Sequence, residues 1–149
     1  MTLSTETIMK LFKYWPPYLA AGISVREYDF KRGYIVSQMK ISSWNKNYFG
    51  TMFGGSLYSM CDPFYVFILV NRLGKGYVVW DIEAKINFLK ATSKTVTARF
   101  MISDEEIDEI RESADSGNIV KPKFETQVLD AEGTIIAKVS KILYIKKKG

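Results

Sequence analysis

Histidine is absent from this 149-residue chain, and cysteine occurs once, as Cys61. Without histidine there is no Ser-His-Asp or Cys-His nucleophile system and no ordinary histidine-ligated zinc site. A single cysteine excludes an internal disulfide framework and fits a reducing, cytoplasmic compartment. The chain also lacks a GxGxxG or P-loop motif, an EF-hand spacing, and any zinc-finger, RNP-type or GXXG signature of nucleic-acid binders. No linker, repeat or low-complexity tract divides it. The opening MTLSTETIMKLFKYWPP has neither a basic leader nor a long apolar core, so a secretory signal is not expected.

What is present has ordinary globular proportions, with 47% hydrophobic and 25% charged residues. The length suits a single domain over residues 1–149 with a sizeable core. The net charge of +5 is unevenly spread, because residues 104–115 carry seven acids and one arginine. The remainder holds 20 basic against nine acidic residues, which suits an anionic partner and equally well serves solubility.

Periodicity sets the expected elements. Ser4 or Thr5 caps a short amphipathic helix with Ile8, Met9, Leu11, Phe12 and Trp15 on its apolar side, stopped by Pro16-Pro17. Packing on the domain fits this helix better than membrane anchoring. GISVREYDF and YIVSQMKIS read as a hairpin about Lys31-Arg32-Gly33. YVVWDIEAKINFLKA alternates cleanly, with Trp80, Ile82, Ala84, Ile86 and Phe88 on one face and Asp81, Glu83, Lys85 and Asn87 on the other. TVTARFMIS is a further strand, and SDEEIDEIRESADSG is a helix with its acids crowding the first turns. KFETQVL and TIIAKVSKILYI pair across residues 130–133. The expected class is α+β, about six antiparallel strands wrapping one long central helix.

That helix falls in NYFGTMFGGSLYSMCDPFYVFILV, residues 47–70. Its 19-residue apolar run from 52 to 70 is long enough to span a bilayer. Gly54-Gly55, Ser56, Ser59 and Asp62-Pro63 oppose that, since a mid-membrane aspartate costs about 2.5–3.5 kcal/mol on insertion scales. No membrane span is expected. A core helix leaves Asp62 unexplained, set among Tyr58, Cys61, Phe64 and Tyr65, where a buried unpaired charge costs several kcal/mol. Burial is expected to raise its pKa toward that of a working base. Cys61, with no histidine partner, reads as a buried inert thiol. Trp15, Trp44 and Trp80 read as core or pocket walls.

The run Asn47-Tyr48-Phe49-Gly50-Thr51-Met52-Phe53-Gly54-Gly55, with Asp62 seven residues on, resembles the N-x-x-G-T-x-H-G-G-x(6)-D signature of hotdog-fold acyl-CoA thioesterases of the phenylacetyl-CoA type. The resemblance implies a hotdog fold and hydrolysis of an acyl-CoA or related thioester, with coenzyme A present only as part of the substrate and no metal. Asp62 takes the role of general base or nucleophile. The Gly55 amide, at a helix start that Gly54 keeps open, becomes the oxyanion donor. Asn47 orients water or the thioester, and Phe53, Gly54, Ser56, Tyr58 and Tyr65 are the expected substrate-binding residues. Such sites form between two subunits, so a homodimer or dimer of dimers is expected, with no nucleic-acid partner.

The chain departs from the pattern at three places. Phe53 stands where the family has histidine. Pro63 disfavours helical geometry at Asp62 and frees the Ser59 carbonyl, so the helix is expected to kink or restart there. Asp81 lies where relatives carry Ser or Thr, and is either a second carboxylate of the site or a polar-face strand residue. These departures keep a non-catalytic acyl-binding module open as the alternative function.

Overall fold

A computed structural model describes residues 3–149. The Ser4 hydroxyl accepts from the Thr7 amide at 3.2 Å and caps α1 (Thr5–Leu11). A 3-10 turn over Phe12–Tyr14 leads into α2 (Pro16–Ala21). The proline pair therefore does more than stop a helix. Proline's fixed φ and missing N–H suit a first helical turn, and here they open α2. Met9, Phe12 and Tyr18 bury their side chains in the main hydrophobic cluster, so this N-terminal layer packs on the domain.

β1 (Ile23–Asp29) and β2 (Tyr34–Met39) form the expected hairpin. The central helix comes in two pieces, α3 (Gly54–Ser59) and α4 (Phe64–Leu73), with Pro63 at the start of the second. The restart expected from Pro63 is thus present, since proline cannot supply the N–H that a continuous helix needs. β3 (Tyr77–Phe88), β4 (Val96–Met101), α5 (Asp104–Asp115), β5 (Lys123–Asp130) and β6 (Ile135–Lys147) complete the chain. A full capping box between Ser103 and Glu106 opens α5.

The six strands are all antiparallel, in the order β1-β2-β4-β5-β6-β3. Their inner face closes on the broken helix. Phe64, Tyr65, Ile68 and Leu69 of α4 share one cluster with Ile35, Phe100, Val139 and Leu143 of the sheet. A sheet wrapped around a central helix in this order is the α+β hotdog fold. Among the described residues no helix is long and apolar enough to cross a membrane.

Two readings of β3 need correction. The pairing with β6 shifts register between Asp81 and Glu83, so the alternation does not run through the strand in one phase. Before the bulge, Val79 and Asp81 point toward the core side; after it, Ile86 does. Trp80 and Ile82, assigned by simple alternation to the packed face, are instead exposed, and Trp80 stacks on Tyr144 with ring centroids 4.6 Å apart. Of the tryptophans read as core or pocket walls, Trp44 is 83% exposed, while Trp15, half exposed, lines a groove beside Asp62.

Candidate active site

The site begins where the central helix breaks. Past Ser59, the Cys61 and Asp62 amides turn back on carbonyls three residues earlier, those of Tyr58 and Ser59. A break of this kind exposes backbone carbonyls that need donors. Tyr18 on α2 donates its hydroxyl to Ser59 O at 2.5 Å, and Ser37 on β2 donates to Met60 O at 2.8 Å. Lys141 on β6 donates to Asp62 O. The broken turn is thereby fastened from three separate elements.

Lys141 is the site's unexpected member. Its side chain is 0% exposed, and its Nζ also lies 3.2 Å from Asp62 Oδ1 and 2.8 Å from Asp81 Oδ2. One buried ammonium thus joins two carboxylates that are far apart in sequence. Such a cation must be paired, because an isolated charge in the interior costs several kcal/mol.

Asp62 itself is not buried as expected. Its side chain is 54% exposed, since the break at Pro63 turns the carboxylate outward while its backbone faces Lys141. Burial falls instead on Asp81, whose side chain is 24% exposed and whose Oδ1 accepts no hydrogen bond among the described residues. Burial pushes the Asp81 carboxyl above the ordinary aspartate range, opposed by the Lys141 ammonium and reinforced by the Asp62 charge. Asp81 is therefore a member of the cluster and not an outward strand residue.

Tyr58 lies within electrostatic reach of the same three groups. Burial raises its phenol, Lys141 lowers it, and Asp62 and Asp81 raise it again. Cys61 is fully buried, which pushes its thiol up to about 12 and agrees with an inert role. Tyr65 does not reach the carboxylates. It stacks on Phe124, its hydroxyl donates to Glu125 O at 2.7 Å, and it belongs to the core. Ser56 is buried near the start of α3.

The other sequence candidates sit at the opposite end of α3. Asn47 spends its side chain on its own loop, accepting from the Phe49 and Thr51 amides at 2.9 and 3.0 Å and donating to Thr51 Oγ1 at 2.8 Å. Gly54 and Gly55 form the first turn of α3, whose leading amides have no partner within the helix. Side chains crowd both glycines: a Cβ on Gly55 would lie 2.6 Å from Phe53 Cε1, and one on Gly54 would lie 3.2 Å from the Phe88 ring. Phe53, at the usual histidine position, therefore lays its ring over Gly55. Gly55 lies in the first turn of α3, whereas Asp62 lies beyond the last residue of that helix, Ser59, so the two candidates of one chain stand at opposite ends of α3. Among the described residues no group of three Cys, Asp or Glu side chains is placed to hold a metal ion.

Lys141 had a legible signal. β6 alternates so that Ala137, Val139, Leu143 and Ile145 are buried, and Lys141 falls in the same phase. A lysine in the apolar phase of a strand asks for a buried counter-charge.

A central helix wrapped by this sheet, with a carboxylate at its break, defines the class as a hotdog-fold protein. The chain belongs to the family described as a domain of unknown function (DUF4442), whose model matches residues 5–145. No curated protein matches its sequence. Similar solved structures include a protein of unknown function from Pseudomonas aeruginosa described as a probable thioesterase, 17% identical, with a TM-score of 0.86 and 99% of each chain covered. A hypothetical thioesterase from Streptococcus pneumoniae, solved with coenzyme A, is 16% identical with a TM-score of 0.61, covering 93% of this chain and 98% of that one. The PaaI protein of E. coli, from the phenylacetic acid degradation operon, is 14% identical with a TM-score of 0.64, covering 97% and 92%. At these identities the likeness establishes the fold.

Proposed function

We propose that the protein hydrolyses an acyl-CoA or related thioester, with Asp62 as the general base that activates water. The observation that carries this reading is the half-exposed Asp62 carboxylate, fastened to a buried lysine beside a second carboxylate. Thioesterase descriptions of the similar structures support the same chemistry. Asp62 takes a proton from water as the water oxygen adds to the thioester carbon. The carbonyl oxygen, now negative, rests on the Gly55 amide at the start of α3. Collapse then breaks the C–S bond, and the leaving thiolate takes up the proton from Asp62, giving a free thiol and a carboxylic acid that loses its remaining proton to solvent.

With Gly55 and Asp62 of one chain at opposite ends of α3, this mechanism uses Gly55 of one subunit with Asp62 of the partner subunit. Exposed apolar surface supports a homodimer. Trp44, Tyr48, Phe49 and Phe53 protrude from the loop before α3, Tyr48 by 97%, while Trp80, Ile82 and Phe88 lie on the edge strand β3. Unpaired edges and clustered exposed aromatics favour association. Asn47 then serves by shaping the loop that brings Gly55 to the partner.

The test is turnover of a panel of acyl-CoAs by the wild type and Asp62→Asn. Loss of a general base predicts a fall of about 10²–10⁴ in rate. Equal rates would remove Asp62 from the chemistry. The ring of Phe53 over Gly55 favours a second reading, a non-catalytic acyl-binding module. An acyl ligand retained through purification, with no turnover of any thioester, would select it.

A further inference from the structure

Asp62 is also one wall of a groove that neither its hydrogen bonds nor the matched motif explains. The groove runs between the N-terminal layer and the start of α4, has a volume of about 370 Å³, and is lined by Ile8, Leu11, Phe12, Trp15, Pro63 and Phe67 around Asp62. Its aromatic wall is ordered, with Phe12 meeting Trp15 at 5.9 Å and Phe67 at 5.5 Å between ring centroids. Among the described residues, Asp62 is the sole ionisable one of this lining.

We propose that this groove seats the apolar acyl chain of the substrate, with the thioester carbonyl at its Asp62 end. The inference rests on the thioesterase reading and adds a substrate class, acyl groups of short to medium length. Three features choose this occupant. The volume lies at the small end of the roughly 300–1,000 Å³ typical of small-molecule sites. Among the described residues the lining offers no cation, so it gives the phosphates of coenzyme A no counter-charge and suits the acyl end. An apolar protein segment filling the groove would bury the Asp62 carboxylate against a neutral face, which is costly; a thioester instead brings an electrophile to it. The same carboxylate repels the product acid, which favours release.

The groove can be tested apart from catalysis with non-hydrolysable S-alkyl-CoA thioethers of increasing chain length, titrated calorimetrically. In the wild type each added methylene should tighten Kd by up to roughly fourfold until the groove is filled, after which the gain stops. Leu11 is 47% exposed on α1, so Leu11→Asp should fold normally by melting temperature while placing a charge in the groove. Its gain per methylene should drop below about twofold, and Leu11→Gln should give an intermediate slope. Equal slopes in wild type and both variants overturn the assignment, even if acyl-CoAs are hydrolysed. A change of oligomeric state in Leu11→Asp overturns it too, because a second copy would then be the occupant. A chain-length slope that Leu11→Asp abolishes, in a protein that hydrolyses no thioester, keeps the groove and refutes the enzyme.

Discussion

The buried ammonium of Lys141 makes a prediction about stability that runs against simple counting of salt bridges. Its three acceptors are Asp62 Oδ1, Asp81 Oδ2 and the Asp62 carbonyl, and no part of its side chain reaches solvent. The two carboxylates are partly exposed, so losing either one leaves Lys141 with its other partner. Asp62→Asn and Asp81→Asn should each cost about 1 kcal/mol, the scale of one hydrogen bond. The double variant leaves the ammonium buried with neutral acceptors only. Breaking a buried pair costs about 3–5 kcal/mol, and the amide oxygens of Asn place the expected loss at the lower end, about 3 kcal/mol. Adding Lys141→Met removes the stranded charge with a side chain of similar length, and should recover at least half of that loss. Urea unfolding at fixed protein concentration reads the wild type and all four variants, and a 3 kcal/mol loss corresponds to a melting shift of about 6–12 °C. Additive single effects, or a triple variant no more stable than the double, would refute the reasoning.

Two further outcomes follow from the titrating groups. A carboxyl whose folded pKa is raised, as burial raises Asp81, binds more protons folded than unfolded. Its stabilising contribution is full below the unfolded value near 3.8 and is lost as pH rises through the folded value. The stability advantage of the wild type over Asp81→Asn should therefore shrink across that window; an advantage that grows with pH would mean that Lys141 outweighs burial. Cys61, its thiol pushed up to about 12 by burial, should be alkylated by iodoacetamide at pH 8 only as fast as the protein unfolds, and rapid native labelling read by mass spectrometry would contradict its burial.

How much of this was legible in the sequence depended on whether a residue's environment was set locally. The strands, the capped acidic helix and the restart at Pro63 follow from period and from single-residue backbone chemistry, and all are present. Asp62 stands out in sequence because a charge inside an apolar run has no local explanation. Its exposure was not legible, because it depends on how the broken turn is held by distant elements. The phase of β3 fails for a different reason. A bulge adds one residue to a strand without a residue type that announces it, and here it moves Asp81 to the core side. Trp80 and Ile82 look like core by composition, and nothing in one chain's alternation separates a face that meets the core from one that stays exposed.

Pro63 is the departure that bears most directly on Asp62, because it decides how the backbone there is held. In an unbroken helix the Ser59, Met60 and Asp62 carbonyls would accept from amides one turn on, and the residue at 62 would point where the helix dictated. With the helix broken, those three carbonyls are instead gripped by Tyr18, Ser37 and Lys141, from α2, β2 and β6. The backbone beneath Asp62 is therefore fixed by tertiary contacts, which hold a side chain more closely than a frayed helix end would. The lysine that secures this backbone also takes one oxygen of the carboxylate, leaving the side chain 54% exposed beside the apolar groove. A proline that costs the helix one hydrogen bond thus supplies the geometry that a continuous helix could not: a carboxylate anchored from behind and open in front.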